Sequence, residues 1–108
     1  MLNQLVLVGK VVESPVLNET NEGTKYARLL IEVERNFKNS DGEYEKDLVQ
    51  CILWRGIAES AVDVCFVGSL IGVKGRIQSN IIMSKDNKPY YNCEIIAEKI
   101  SYLQTNGA

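Results

Sequence analysis

A two-residue alternation of apolar and polar side chains extends through most of this 108-residue chain and constrains its fold more than any other feature. It is cleanest from Lys25 onward, where one side of the segment carries only apolar residues: Ala27, Leu29, Ile31 and Val33. Side chains of a β-strand point alternately to opposite faces, so this spacing predicts a strand with one buried face. The chain is therefore expected to be mostly β structure.

The alternation and the turn residues divide the chain into five predicted strands. These cover residues 4–12, residues 25 to the turn at 39–42, and residues 44–55, 69–77 and 90–103. Asp41-Gly42 between two alternating segments indicates a hairpin, and the sequence KDNKP at 85–89 predicts a second hairpin tip. Glycines inside the first and fourth strands predict bends in those strands, and they stand at positions 9, 72 and 75.

The alternation is interrupted between the third and fourth predicted strands. Apolar side chains there recur at spacings of three and four: Ile57, Ala58, Ala61, Val62, Cys65 and Phe66. This period predicts a short amphipathic helix over 57–67 that stops at Gly68. An element order of three strands, a helix and two strands is typical of the OB-fold, a five-stranded Greek-key barrel with its helix between strands three and four. We therefore predict an all-β protein with one OB-fold domain at 1–104 and a frayed end at 105–108. The small Src-homology-3-like barrels do not place a helix at this point.

The composition excludes most kinds of catalytic site. The chain has no histidine, which removes imidazole bases and ligands, and its three cysteines form no C-x-x-C pair. We expect no enzyme activity, no metal and no cofactor. Cys51 and Cys93 lie in apolar stretches and are expected to be buried. Unpaired thiols, with no signal peptide and no apolar segment of membrane length, predict a cytoplasmic protein.

Five segments, in order and at matching spacing, resemble the bacterial single-stranded DNA-binding protein family. They are LVLVGK at 5–10, ARLLI at 27–31, DLVQCILWR at 47–55, VKGRIQ at 73–78, and the YY and EIIAE segments within 90–98. The resemblance implies sequence-independent binding and protection of single-stranded DNA in replication, recombination and repair. It also implies a homotetramer (or a dimer) whose first strands pair between subunits, and contacts with replication and repair proteins. Longer members continue into a Gly/Pro-rich linker and an acidic tail, so a chain that ends at Ala108 resembles a short form.

The family stacks bases on aromatic side chains and holds phosphates in a basic groove, and the resemblance assigns residues to both roles. Phe37 and Trp54 match two of the stacking positions. Aliphatic residues stand at two others, where many members have an aromatic: Leu48, and Ile81 or Ile82. Asn80 falls near a position where arginine is common in the family.

The residues themselves support part of this assignment. Trp54 shares its strand face with Lys46 and Gln50, opposite an apolar set, which predicts a surface position. Tyr44 is left open between a cross-strand pair and a base contact. The candidate phosphate contacts are basic residues of the hairpins and of strands three and four, together with two outlying residues: Arg35, Lys38, Lys46, Lys74, Arg76, Lys85 and Lys88, then Lys10 and Arg55.

The net charge leaves a second interpretation open. The chain has 12 Lys and Arg against 14 Asp and Glu, a net charge of −2, whereas nucleic-acid binding usually leaves a basic footprint. The acidic balance and the missing aromatics favour, as the alternative, a protein-interaction or primosome-type adaptor that binds nucleic acid weakly. Net charge averages over a surface, however, and several carboxylates are expected to lie away from the groove: Glu13, Glu19, Glu22, Glu59 and Asp63.

Overall fold

The computed structural model describes residues 1–104, which form a closed β-barrel with one helix. The elements are β1 (Leu5–Glu13), β2 (Asn18–Glu19), β3 (Lys25–Lys38), β4 (Tyr44–Trp54), α1 (Gly56–Val64), β5 (Leu70–Met83) and β6 (Pro89–Gln104). The barrel order is β1-β5-β6-β4-β3, and β3 pairs with β1 to close it. All neighbours are antiparallel except β4 and β6, which are parallel. Five long strands with a helix between the third and the fourth confirm the predicted OB-fold.

The core fills the inside of the barrel, and in β3 it consists of side chains that the alternation assigned to the buried face. The largest fully buried apolar residues include Leu29 and Ile31 of β3, Leu53 of β4, and Ile71 and Val73 of β5. The helix α1 adds two buried alanines, at 58 and 61. Because β3 and β4 bury one face only, their other side chains remain on the outside of the barrel, where a ligand can reach them.

Two of the predicted bend glycines are required by close approaches between backbones. At Gly9 a Cβ atom would lie 2.5 Å from the carbonyl oxygen of Glu32, where β1 crosses from β5 to β3. At Gly75 a Cβ atom would collide with the backbone of Ile96, beside a register shift in the β5–β6 ladder. A residue with a side chain at either position would force the strands apart, so both glycines are needed to close the barrel.

Several sequence-based expectations need correction. The helix ends at Val64 rather than 67, because Cys65 already has an extended backbone conformation. The connection between the first two long strands contains β2, a two-residue strand that was not predicted. The fourth long strand, β5, continues to Met83 instead of ending at 77.

The longer β5 forms, with β6, a two-stranded extension of residues 78–94 that we call the ribbon. Cys93 lies on it and is exposed, contrary to the expectation that it is buried. The error arose because the apolar residues around it belong to the ribbon rather than to the core. Cys51 and Cys65 are buried, and burial raises the pKa of the Cys51 thiol to about 11.

Residues 105–108, where a frayed end was predicted, lie outside the described residues. Within residues 1–104, no helix has the length and apolarity needed to cross a membrane.

Candidate nucleic-acid interface

The outer face of β3 and β4 carries a ladder of cross-strand pairs that begins at Trp54. The pairs are Tyr26–Trp54, Arg28–Ile52, Leu30–Gln50, Glu32–Leu48 and Glu34–Lys46. Trp54 is therefore on the surface, as predicted, and 38% of its area is exposed. Its ring centroid lies 5.4 Å from that of Tyr26, with the two planes tilted by 41°. The contact holds the indole in place while leaving part of it open to a flat ligand.

A depression of about 790 Å³ adjoins Trp54 and brings together three of the predicted site residues. Arg55 and Arg76 line it with the indole, over a partly apolar floor that includes Ile57 and Ile96. Arg76 is oriented by Gln78, whose Oε1 accepts a hydrogen bond from Nη1 at 2.8 Å. Two guanidinium groups beside an aromatic face provide both charge and a stacking surface.

One carboxylate in this depression corrects a sequence-based expectation. Glu22, expected to lie away from the groove, lines the same depression with residues of the loop that follows β2: Thr20, Asn21 and Thr24. The loop folds back toward Trp54 because β2 pairs with the start of β3, directly beside the Tyr26–Trp54 pair. This Glu22 carboxylate lowers the positive potential that Arg55 and Arg76 create.

Arg55 has an unusual backbone conformation. Its φ is 56° and its ψ is −126°, a region that residues other than glycine rarely occupy. Its N–H donates to the carbonyl oxygen of Lys25 at 2.7 Å, so the turn from β4 into α1 is fixed against β3. Strained backbone that persists in a folded protein is concentrated at functional sites.

A second depression continues the same outer face along β4 and β6. It contains Leu48, Gln50 and Ile52 of β4, and Asn92, Cys93 and Glu94 of β6. The two depressions share one face because Ile52 pairs with Ile96, which lines the first.

Arg28 also lines this second depression, and its guanidinium carbon lies 5.7 Å from the centre of the Tyr26 ring. Sequence reasoning did not include Arg28 among the site residues. The alternation of the segment from Lys25 places Arg28 on the outward face of the strand, on the same side as Tyr26. This pattern was sufficient to identify Arg28 as a candidate.

The β3–β4 hairpin places several predicted cations beside carboxylates. Arg35 donates three hydrogen bonds to Asp47 from Nε and Nη2, the shortest at 2.8 Å, and forms an ion pair with Glu45. These bonds lower the pKa of the Asp47 carboxyl below its usual range. Lys46 forms an ion pair with Glu32 at 3.1 Å. Neither Arg35 nor Lys46 is therefore a free cation, and a phosphate would have to compete with a carboxylate for each.

The tip of this hairpin is less engaged by carboxylates. Lys38 pairs across the hairpin with Tyr44, and its Nζ lies 5.6 Å from the centre of the Tyr44 ring. Tyr44 is thus a cross-strand partner that remains partly exposed. Between residues 32 and 47 six carboxylates stand against three cations, which makes the hairpin acidic as a whole.

Three further predicted residues lie apart from Trp54. Phe37 is 65% exposed and lines a separate depression beside Val6 and Val8 of β1. Lys10 lies in another depression with Glu32, Glu34 and Lys46. Lys74 pairs with Val6 on one side and with Lys99 on the other, on the outer face of β1, β5 and β6.

The remaining predicted residues belong to the ribbon. Lys85 and Lys88 lie at its tip, and within the part of the chain that the structure describes neither forms an ion pair. Of the two isoleucines, only Ile82 is on the strand face that carries Arg76, because the β5–β6 register is regular from Gly75 to Met83. Ile81 points to the opposite face.

Comparison with known proteins gives a consistent result. The model of the single-strand binding protein family matches residues 2–103. The chain is 41% identical to "Single-stranded DNA-binding protein 3" of Listeria innocua over 110 residues, which cover 100% of this chain and 69% of that protein. It is 39% identical to "Single-stranded DNA-binding protein B" of Bacillus subtilis over 103 residues, which cover 95% of this chain and 91% of that protein. A match from the second residue almost to the end of the barrel shows that the chain belongs to the single-strand binding protein family.

Proposed function

We propose that this protein binds single-stranded DNA without regard to sequence and protects it during replication, recombination and repair. The observation that carries the proposal is the partly exposed Trp54 between Arg55 and Arg76, on an outer face that continues to Arg28 and Leu48. Family membership and the names of the relatives support the same function. Single-stranded DNA as the ligand implies a cytoplasmic, nucleoid-associated protein.

Binding would combine stacking with neutralisation of phosphates. The Trp54 indole offers a π face on which any base can stack. Stacking of this kind does not depend on the identity of the base and contributes about 1–3 kcal/mol per base. Arg28, Arg55 and Arg76 would meet the phosphates, and Lys85 and Lys88 would meet those that pass the ribbon. Each phosphate contact releases counterions, so the affinity falls as salt rises. These roles require binding groups only, and no step of chemistry is assigned to the chain.

We propose further that the protein works as a homo-oligomer, a tetramer or a dimer, in which β1 pairs with a copy of itself. Between Leu5 and Gly9, β1 pairs with β5 on one side, and its pairing with β3 begins only at Lys10. Val6 and Val8 are exposed beside this edge. An unpaired apolar edge favours addition of another strand. Val6→Lys should lower the mass measured by light scattering, and an unchanged mass would contradict this arrangement.

The test of DNA binding uses the chain's single tryptophan as its probe. Titration with a thymidine oligomer should quench the Trp54 fluorescence, and high salt should weaken the binding. Absence of quenching together with absence of salt-dependent binding, even at low salt, would refute the function.

Two variants then test the stacking residues, with a labelled oligomer and anisotropy as the readout. Trp54→Ala and Phe37→Ala should each weaken binding. Phe66→Ala is the matched control, because Phe66 is an exposed phenylalanine that follows α1 and lines neither depression. If Phe37→Ala behaves like the control, Phe37 is not a base contact.

A second candidate function is that of a protein-interaction adaptor, including a primosome-type adaptor. It is favoured by one observation, the excess of carboxylates over cations in the β3–β4 hairpin, where Arg35 and Lys46 are already paired. An adaptor would bind a basic protein surface and would bind the oligomer only weakly. The same titration separates the two functions. Such an adaptor would also contact replication and repair proteins.

A further inference from the structure

One face of the ribbon continues the surface on which Trp54 lies. Arg76 of β5 lines the Trp54 depression opposite its ladder partner Ile96. From that pair outward the register is regular, so every second pair points to the same side. The side chains on this side form the outer row, which we define by its pairs: Arg76–Ile96, Gln78–Glu94, Asn80–Asn92 and Ile82–Tyr90. The hydrogen bond from Arg76 to Gln78 shows that neighbours in the row are in contact.

The outer row ends in an exposed aromatic. Tyr90 is 62% exposed and stands directly opposite Ile82, about 20 Å along the strand from Arg76 at roughly 3.3 Å per residue. The amide pair Asn80–Asn92 lies between them, and each amide can donate to and accept from the edge of a base. The one carboxylate in the row, Glu94, is at the barrel end and distant from Tyr90.

The opposite face of the ribbon is chemically different. It carries Ile81 opposite Tyr91 and Met83 opposite Pro89, and it continues the inside of the barrel through Ile77 and Ile95. It has no cation and no amide side chain among these pairs. Tyr91 is 74% exposed and adjoins Tyr90 in the chain. The two tyrosines are therefore alike in residue type, exposure and position along the chain, but they occupy opposite faces of the ribbon.

We propose that Tyr90 is a base-stacking residue, which extends the DNA path from the Trp54 depression along the outer row to the ribbon. Ile82 of β5 has no aromatic ring, and its cross-strand partner Tyr90 of β6 provides one on the same face. Lys85 and Lys88 lie just beyond, at the ribbon tip, where they can neutralise phosphates of the same strand. An aromatic, hydrogen-bonding amides and cations in one line are the components of a single-strand binding surface. This inference rests on the proposed single-stranded DNA binding.

The experiment compares two neighbouring tyrosines. A labelled thymidine oligomer long enough to reach the ribbon is titrated into the wild-type protein and the Tyr90→Ala, Tyr90→Phe and Tyr91→Ala variants. Tyr90→Ala should weaken binding by roughly tenfold, within the ~5- to 150-fold range expected for one stacked base. Tyr90→Phe keeps the ring and should bind like the wild type, as should Tyr91→Ala, which changes the other face.

Photo-cross-linking of the wild-type protein to an oligomer containing 5-iodouracil provides a measurement that does not depend on how a variant folds. Mass spectrometry should locate a cross-link at Tyr90 and none at Tyr91. If the wild type binds and Tyr90→Ala binds equally well, or if the cross-link is at Tyr91, the assignment of Tyr90 is overturned while the proposed function stands. If the wild type itself does not bind the oligomer, the proposed function fails, and the inference fails with it.

Discussion

Replacing Arg55 with glycine should weaken DNA binding as much as replacing it with alanine, but the glycine variant should be the more stable of the two. The φ of 56° and ψ of −126° at Arg55 cost a residue with a Cβ atom about 1–3 kcal/mol, whereas glycine adopts them without strain. Glycine also increases the entropy of the unfolded chain, which offsets about 0.4–1 kcal/mol of that gain. Arg55→Gly should therefore exceed Arg55→Ala in stability by about 1 kcal/mol, or ~4 °C in Tm for a domain of this size. Both variants lose the same guanidinium group.

The assay pairs thermal unfolding without DNA, at one protomer concentration, with titrations at several salt concentrations. Both variants should bind an oligomer more weakly, and the slope of log affinity against log salt should fall by about 0.7 if Arg55 meets one phosphate. Equal stability of the glycine and alanine variants would refute the account of backbone strain. A wild-type salt slope in both variants would show that Arg55 does not contact a phosphate.

Three further outcomes are expected. Asn3→Ala removes two hydrogen bonds at the base of the ribbon, from Nδ2 to the Ile77 carbonyl oxygen at 2.6 Å and from the Ile77 N–H to Oδ1 at 2.9 Å. Hydrogen exchange at the Ile77 amide should therefore become faster, and an unchanged rate would show that Asn3 does not stabilise the base of the ribbon. Bound oligomer should leave the reaction of Cys93 with a maleimide unchanged, because Cys93 pairs with Ser79 on the ribbon face that carries Tyr91; a slower reaction with DNA would place the strand on that face. Asp47 has a lowered pKa through Arg35, so its stabilising contribution is present above the unfolded value of 3.8 and is lost as pH falls through the folded value. Asp47→Asn should accordingly be less stable than the wild type at neutral pH, and the difference should shrink in acid titrations below that value.

The barrel interior was predictable because each strand of it is long and buries one face. Alternation alone assigned Leu29 and Ile31 to the core and Trp54 to the surface, and all three assignments are confirmed. The glycines at 9 and 75 were predicted to mark bends, and both stand where two backbones meet. These predictions rest on patterns between residues that are close in sequence, and such patterns can be read from one amino-acid sequence.

The electrostatics of the surface were less predictable because they depend on register and on loops. Arg35 was expected in the groove, but the pairing of β3 with β4 brings Asp47 and Glu45 to it. Glu22 lies near Trp54 only because a two-residue strand turns its loop back. The choice between Ile81 and Ile82 required the true length of β5, which continues without a bulge from Gly75 to Met83 instead of ending at 77.

The outer row also acts as a measure of length. Side chains on one face of a strand recur every two residues, at intervals of about 6.7 Å, whereas a strand of duplex DNA advances about 3.4 Å per base. A nucleic acid that placed one base against each step from Arg76 to Ile82 would be stretched to about twice its duplex rise. At that spacing adjacent bases cannot stack on each other, and the side chains of the protein take the place of the missing neighbours. A strand bound in this way would have to be single, because the bases of double-stranded DNA stay stacked.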